Sequence, residues 1–192
     1  HDATLEDVDV SVAEQVDGVT VVRDGTMVAV LHERRDVADR ALMRIFPQWN
    51  TDRKPVNTDS IFEHIIRHAP EGEIVGEGGD LEAGARESEQ LLEHSYYDGY
   101  HAHAPIETHT AIAVMQDGRM NVWASTQNPF GVQSEVAREL GMPEDDVRVR
   151  TPFVGGGFGG KSSNGQALQA AKLAKTTGRP VQVAWSREDE FF

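Results

Sequence analysis

Five glycines occupy the six positions from Gly155 to Gly160, broken only by Phe158, and no other segment of the chain is better suited to chemistry. Without side chains the backbone can approach a ligand closely, and glycine adopts positive φ at no steric cost. Successive inward-turned N–H groups form a concave anion site, and a following helix N-terminus adds the positive end of its dipole. Lys161 and Ser162 come next, an alternating run over 147–150 leads in, and a helical pattern over 163–176 leads out. Ordered flanks of this kind distinguish a binding loop from a flexible glycine turn.

Three patterns fit the loop. Gly155-x-x-x-x-Gly160-Lys161-Ser162 has the spacing of a phosphate-binding loop, with a strand before it and a helix after. Gly155-x-Gly157-x-x-Gly160 has that of a dinucleotide fingerprint. The first should be joined by an apolar strand ending in a magnesium-binding aspartate, whereas the run over 181–185 leads into Ser186, Arg187, Glu188 and Asp189. The second expects an acidic residue about 20 positions on, where Gly178, Arg179 and Pro180 stand instead. A nucleotide-binding module using Lys161 and Ser162 stays open as an alternative. A separate cluster, His101, His103, Glu107 and His109, would line one face of an extended strand and could hold zinc, although Pro105 interrupts it. His64 and His68, four apart on a predicted helix, invite the same question.

The elements around these residues follow from hydrophobic period and turn chemistry. Residues 8–32 read as short strands, with Val8, Val10 and Val12 alternating and a buried run over 27–31 after an Asp24-Gly25 turn. A helix is predicted over 37–45, and the polar stretch 49–58, broken by Pro55, suits a boundary. Residues 59–90 are highly charged, with helices near 61–67 and 81–91, and should wrap a surface rather than build a core. From Tyr96 the pattern changes. Strands over 110–115 and 120–124 flank an Asp117-Gly118 turn, a helix over 133–140 closes at Gly141, and strands over 147–150 and 181–185 bracket the glycine loop and its helix. The fold class is α/β (α+β), and the last strand running into the terminus implies that the protein continues.

Composition limits the partners. Asp plus Glu number 32 against 18 Lys plus Arg, a net charge of −14, which argues against nucleic acid. Lysine occurs only at positions 54, 161, 172 and 175. An acidic, lysine-poor surface suits a salt-loving organism, where salt screens the self-repulsion; a merely acidic protein is the alternative. With no cysteine, the chain holds no disulfide and no thiolate-bound iron–sulfur cluster. No apolar run approaches the roughly 20 residues that span a bilayer, so no membrane partner is expected. The acidic start lacks a signal-peptide core, so a cytoplasmic location is expected.

Ser125-Thr126-Gln127-Asn128-Pro129-Phe130, followed by a helix, a strand and the glycine loop, closely resembles the molybdenum hydroxylases, the xanthine dehydrogenase and aldehyde oxidase family. His103-Ala104-Pro105-Ile106-Glu107-Thr108-His109 upstream resembles that family's strand before the site. Gly178-Arg179-Pro180-Val181 and Ser186-Arg187-Glu188-Asp189-Glu190 match the strand after its glycine-loop helix. The likeness implies a domain order: 1–50 as the end of a small hammerhead-like α/β domain, 51–90 as a charged linker, and 91–192 as the first part of a molybdopterin-binding domain.

The resemblance also implies a chemistry. Such enzymes bind molybdenum through a pterin dithiolene and insert water-derived oxygen into a C–H bond of an aldehyde or aromatic N-heterocycle. Electrons then leave through iron–sulfur clusters, and in many members FAD, in other domains or subunits. By resemblance Gln127 hydrogen-bonds a non-pterin ligand of the metal, Gly156, Gly157, Phe158 and Gly159 line the cofactor, and Phe158 borders the substrate channel. Purine-oxidising members carry a glutamate just after the loop lysine, where this chain has Ser162. Lys161 reads as a helix-start or phosphate-neighbour cation. The family's catalytic glutamate lies near the end of the large subunit, so Glu188 and Glu190 do not take that role, and the chain alone is expected to be inactive. A non-catalytic remnant that serves only in subunit assembly is a further alternative.

Overall fold

The computed structural model describes residues 3–51 and 56–191; His1, Asp2, Lys54 and the predicted break at Pro55 lie outside the described residues. The chain divides into two compact units, residues 1–99 and 100–192.

The first unit contains β1 (Thr4–Asp9), α1 (Ser11–Glu14), β2 (Thr20–Asp24), β3 (Met27–Leu31), α2 (Arg35–Leu42), β4 (Phe46–Asn50), α3 (Ile61–His68) and α4 (Leu81–Glu87). β1 pairs antiparallel with β4, and β2 with β3 across the Asp24-Gly25 turn. Val10, Ala13, Val22 and Ala41 form its small core. The predicted Val8–Val10–Val12 alternation does not hold. Asp9 Oδ1 accepts from the Ser11 N–H at 2.8 Å, this turn starts α1, and Val12 ends exposed. Carboxylate-to-backbone bonds of this kind outcompete a strand ladder. The sequence pattern does not predict β4 because Pro47 lies inside it; a two-stranded sheet leaves edges free, where a residue without an N–H is tolerated. The helix expected over 81–91 stops at Glu87, with Ser88 extended. Neither α3 nor α4 carries a buried residue.

The second unit contains β5 (Thr110–Gln116), β6 (Arg119–Ala124), α5 (Pro129–Leu140), β7 (Val147–Arg150), α6 (Gly165–Thr177) and β8 (Val181–Ala184). Its sheet runs β7-β6-β5-β8, with β6 and β7 parallel and the other pairs antiparallel. Ala111, Ala113, Met120, Val122 and Ala124 alternate onto the buried face, while Ile112 and Trp123 point to the open one. α6 packs on β5, β8 and β6, and α5 on β7 and α6. The contact is made by small residues: Ala167, Ala170, Ala171 and Ala174 on α6 recur at helical spacing and face the strand alanines, so the backbones approach closely.

α5 starts four residues before the predicted position. Asn128 accepts from the Gly131 N–H at 3.0 Å and Pro129 occupies the first turn, a start signal present in the sequence. α6 starts later than expected, at Gly165, because Ser163 is extended and the Asn164 side chain is engaged elsewhere. Among the described residues no helix is long and apolar enough to cross a membrane.

Candidate functional site

The strand directions gather four segments at one end of the second unit's sheet. β6 and β7 are parallel, so 125–128 and 151–162 leave from the same edge. β5 enters and β8 leaves there too, Thr110 lying opposite Ala184, which brings in 103–109 and 185–191. The segments are tied directly. Ser125 N–H donates to Thr110 O at 2.9 Å, Trp185 N–H to His109 O at 2.9 Å, and the Arg187 guanidinium to Pro105 O at 2.6 Å.

The glycine loop lies among them, and at three of its positions a side chain would press on a neighbour. A Cβ on Gly155 would lie 2.6 Å from Glu107 Cβ, one on Gly157 2.5 Å from Gln127 Oε1, and one on Gly160 3.1 Å from the His103 ring. Gly156 and Gly159 take φ of +95° and +103°, conformations closed to residues with side chains. Phe158 between them sits at φ +54°, a left-handed conformation that costs a bulky residue about 1–2 kcal/mol. Its ring is exposed. The N–H groups of Gly156, Gly157 and Phe158 have no acceptor among the described residues, although Gly157 is buried.

Gln127 faces this row of donors. Its Oε1 accepts from the Gly159 N–H at 3.0 Å. A backbone N–H can only donate, so the amide oxygen must face the loop, and among the described residues the NH2 group has no acceptor. The Gln127 N–H donates to Lys161 O at 2.9 Å, and the buried Thr126 hydroxyl lies 3.2 Å from that carbonyl and 3.1 Å from Asn164 Oδ1. Gln127 and the loop are thereby one construction.

Lys161 is not the free cation that the sequence suggested. Its side chain is fully buried, and Nζ donates to Glu107 Oε2 at 2.6 Å. It neither opens a helix nor reaches a phosphate, because the glycines are followed by a 3-10 turn at Gly160–Ser162 and α6 begins only at Gly165. A phosphate-binding loop needs this lysine at the ligand, so the nucleotide-binding reading with Lys161 and Ser162 fails on geometry. Burial pushes the Glu107 carboxyl up, but bonds from Lys161 and the Gly155 N–H, with the charges of Lys161 and His109, outweigh it and hold it below the ordinary value near 4.5. Stability gained this way is present above that value and is lost as pH falls through the lowered folded one. Urea unfolding should therefore find Glu107→Gln clearly less stable than the parent at neutral pH, with the gap closing at an acid pH below the ordinary carboxyl value. An equal gap at both pH values would mean that the charge contributes nothing.

The histidine–carboxylate set, to which no metal was assigned, is split between two other tasks. Glu107 belongs to Lys161, and His109 belongs to Glu190, whose carboxylate takes both the backbone N–H at 2.7 Å and ring Nδ1 at 2.8 Å. The His109 and Glu190 side chains are 5% and 4% exposed, and Trp185 lies on the imidazole, with ring centroids 4.6 Å apart. His103 backs Gly159 and Gly160. His64 and His68 stack at 4.2 Å, the His68 ring meeting the His64 carbonyl. Among the described residues no three His, Cys, Asp or Glu converge on a metal position.

A family model for the molybdopterin cofactor-binding domain matches residues 65–192. This chain belongs to the molybdenum hydroxylase family. It is similar to xanthine dehydrogenase/oxidase of Felis catus, 34% identical over 172 residues that cover 84% of this chain and 12% of that protein. A nicotinate dehydrogenase subunit of Pseudomonas putida is 30% identical over 173 residues, covering 90% of this chain and 14% of the relative. The chain thus spans a small part of the relatives that it matches. Among solved structures, the aldehyde oxidoreductase from Desulfovibrio gigas aligns with a TM-score of 0.79 at 18% identity, over 98% of this chain and 26% of that one. Quinoline 2-oxidoreductase from Pseudomonas putida 86 gives 0.74 at 20% identity, over 99% and 30%. These two likenesses establish the α/β fold.

In this member of the molybdenum hydroxylases, Gln127 and the loop 155–160 meet through the Gly159 N–H. Sequence reasoning missed Lys161, Thr126 and Asn164 as the frame beneath them. Glu107 stands 54 positions before Lys161, and no local signal in the sequence pairs them.

Proposed function

We propose that this chain forms one wall of a molybdopterin centre in an oxidoreductase that hydroxylates an aldehyde or aromatic N-heterocycle. One observation carries the reading. The Gln127 amide is fixed by Gly159 so that its NH2 group is the free end, beside the unclaimed N–H groups of Gly156, Gly157 and Phe158. A neutral amide and backbone donors suit the oxygen, sulfur and pterin acceptors of such a group, since they donate without competing as charged ligands. With no side chains at 155–157 and 159–160 the loop offers bare main chain, as a large planar cofactor pressed against it needs.

When bound, the molybdenum–pterin group supplies the redox chemistry, a two-electron oxidation that places water-derived oxygen in a C–H bond. The chain's own part is to orient. Gln127 would donate to a non-pterin ligand, Gly156 to Gly159 would line the pterin side, and the exposed Phe158 ring would border the substrate path and exclude water. The proton-accepting glutamate is assigned to the rest of the large subunit, as are the remaining cofactor contacts, so these 192 residues alone are inactive. Residues 1–50, 51–90 and 91–192 correspond to the end of a hammerhead-like domain, a charged linker and the first part of the cofactor domain. Without cysteine in the chain, the iron–sulfur clusters, and FAD where used, belong to partner domains or subunits.

Ser162, short and neutral where purine-oxidising members carry a glutamate, favours an aldehyde or a heterocycle other than xanthine. The acidic, lysine-poor composition favours a cytoplasmic protein of a halophile. Circular dichroism across a salt titration should find the fold complete only in molar salt, because screening over about 3 Å is needed to suppress the self-repulsion; full structure at low salt would remove the halophile reading. The cofactor reading is tested by isolating the protein with its partners from its host and measuring metals by mass spectrometry. Molybdenum together with iron is the expected result. An intact assembly holding neither would leave only a role in subunit assembly.

A further inference from the structure

We propose that the Lys161–Glu107 pair is the positioning device of this centre, holding the glycine loop's free N–H groups and the Gln127 amide in one frame. The inference rests on the cofactor reading above and adds two residues to it. One carboxylate oxygen carries the argument. Glu107 Oε2 accepts from the Gly155 N–H at 2.8 Å and from Lys161 Nζ at 2.6 Å, so a single atom ties the residue that opens the glycine run to the residue that follows its end. Glu107 N–H donates back to Gly155 O at 3.3 Å, making the tie at the loop's start two-stranded. The lysine's main chain then performs the second task. Its carbonyl takes the Gln127 N–H at 2.9 Å and lies 3.2 Å from the Thr126 hydroxyl. The side chain of Lys161 sets the loop and its backbone sets the glutamine, so the distance between the two donor groups depends on one residue.

Charge is the informative part. A methionine would fill nearly the same interior volume without the desolvation cost of an ammonium group. What the ammonium adds is direction, because a charged hydrogen bond of 2.6 Å to one oxygen fixes a position that apolar packing would not. The loop needs that help. Five glycines have no side chains to anchor them, and Phe158 is held at a positive φ that it would otherwise leave. Among the described residues neither side chain hydrogen-bonds to the Gln127 amide, so both act through the loop.

The test uses the protein isolated with its partners from its host, carrying Lys161→Met, Glu107→Gln, or both. The single variants leave one buried partner without its bond and can fail through folding alone. The double variant avoids this, since the introduced glutamine keeps an oxygen for the Gly155 N–H and the introduced methionine fills the lysine's volume. It should melt cooperatively close to the parent. Hydrogen–deuterium exchange at the bonded Gly159 and Gly160 amides should nevertheless rise about tenfold, and molybdenum retention against a chelating pterin competitor should weaken by about 10- to 100-fold, as when outer supports of a metal centre are removed. A double variant with parental exchange and parental retention overturns the proposal. So does one that no longer melts cooperatively, because the pair would then hold the domain rather than the loop. If the unaltered protein carries no molybdenum, the cofactor reading falls, and loop exchange still decides whether the pair positions the loop.

Discussion

Gly157→Ala is expected to lose molybdenum while keeping its fold. The new Cβ would lie 2.5 Å from Gln127 Oε1 and 2.9 Å from Cδ, and something must move. The obstacle is the far end of a flexible side chain, so the glutamine swings away at little cost in stability. That movement breaks the 3.0 Å bond from the Gly159 N–H and turns the NH2 group away from the three free loop donors. Gly157 is not at positive φ, so strain adds nothing. We expect a melting temperature within about 3 °C of the parent and retention of molybdenum about 10- to 100-fold weaker. Gly155→Ala provides the contrast. Its Cβ would meet Glu107 Cβ at 2.6 Å, next to the backbone, and should cost about 1–3 kcal/mol of stability. Metal content and thermal unfolding of the two variants separate the cases; parental molybdenum in Gly157→Ala would refute the assigned geometry.

Glu190→Ala should be the most destabilising single change near the site. The carboxylate takes the His109 backbone N–H and the His109 ring within a pair that is almost wholly buried. Its removal strands two donors where water does not reach, a loss of about 3 kcal/mol, lowering the melting temperature by about 6–12 °C. Trp185, lying on the imidazole and donating from Nε1 to Gln169 at 3.1 Å, would lose its seat as well. Glu188, two positions earlier and exposed, should change stability by less than about 0.5 kcal/mol when replaced by alanine. Equal effects from the two, by calorimetry, would mean that the His109–Glu190 pair anchors nothing. The sequence offered no way to tell these glutamates apart. Each lies in the same short segment, and only the return of β8 beside β5 brings one of them to His109.

The elements nearest the site were legible because they obey local rules. β5, β6 and β7 alternate, α5 carries a cap and a proline, and Gly141 closes it in the left-handed conformation. The failures had local causes too. Asp9 turned the chain where the valine alternation predicted strand, and Pro47 hid β4. His101, His103 and His109, to which no metal was assigned, would share a face only while the extended backbone stays regular, and here Ala104 takes φ +42°.

The sequence by itself determined which residues lack side chains, which segments could be strand or helix, and that glycines in this number need a built surface behind them. Those are properties of covalent structure and short-range sterics. Only the tertiary structure decided what that surface is. Lys161 could have faced a phosphate, opened a helix or gone inside, and the outcome depended on a carboxylate 54 positions away that no local energy senses. The orientation of the Gln127 amide was set likewise, by one N–H of a loop 32 positions downstream. Burial made the first outcome compulsory, because an ammonium withdrawn from water must meet its partner or unfold the site, whereas the exposed Gln127 amide is set by the one donor that it meets.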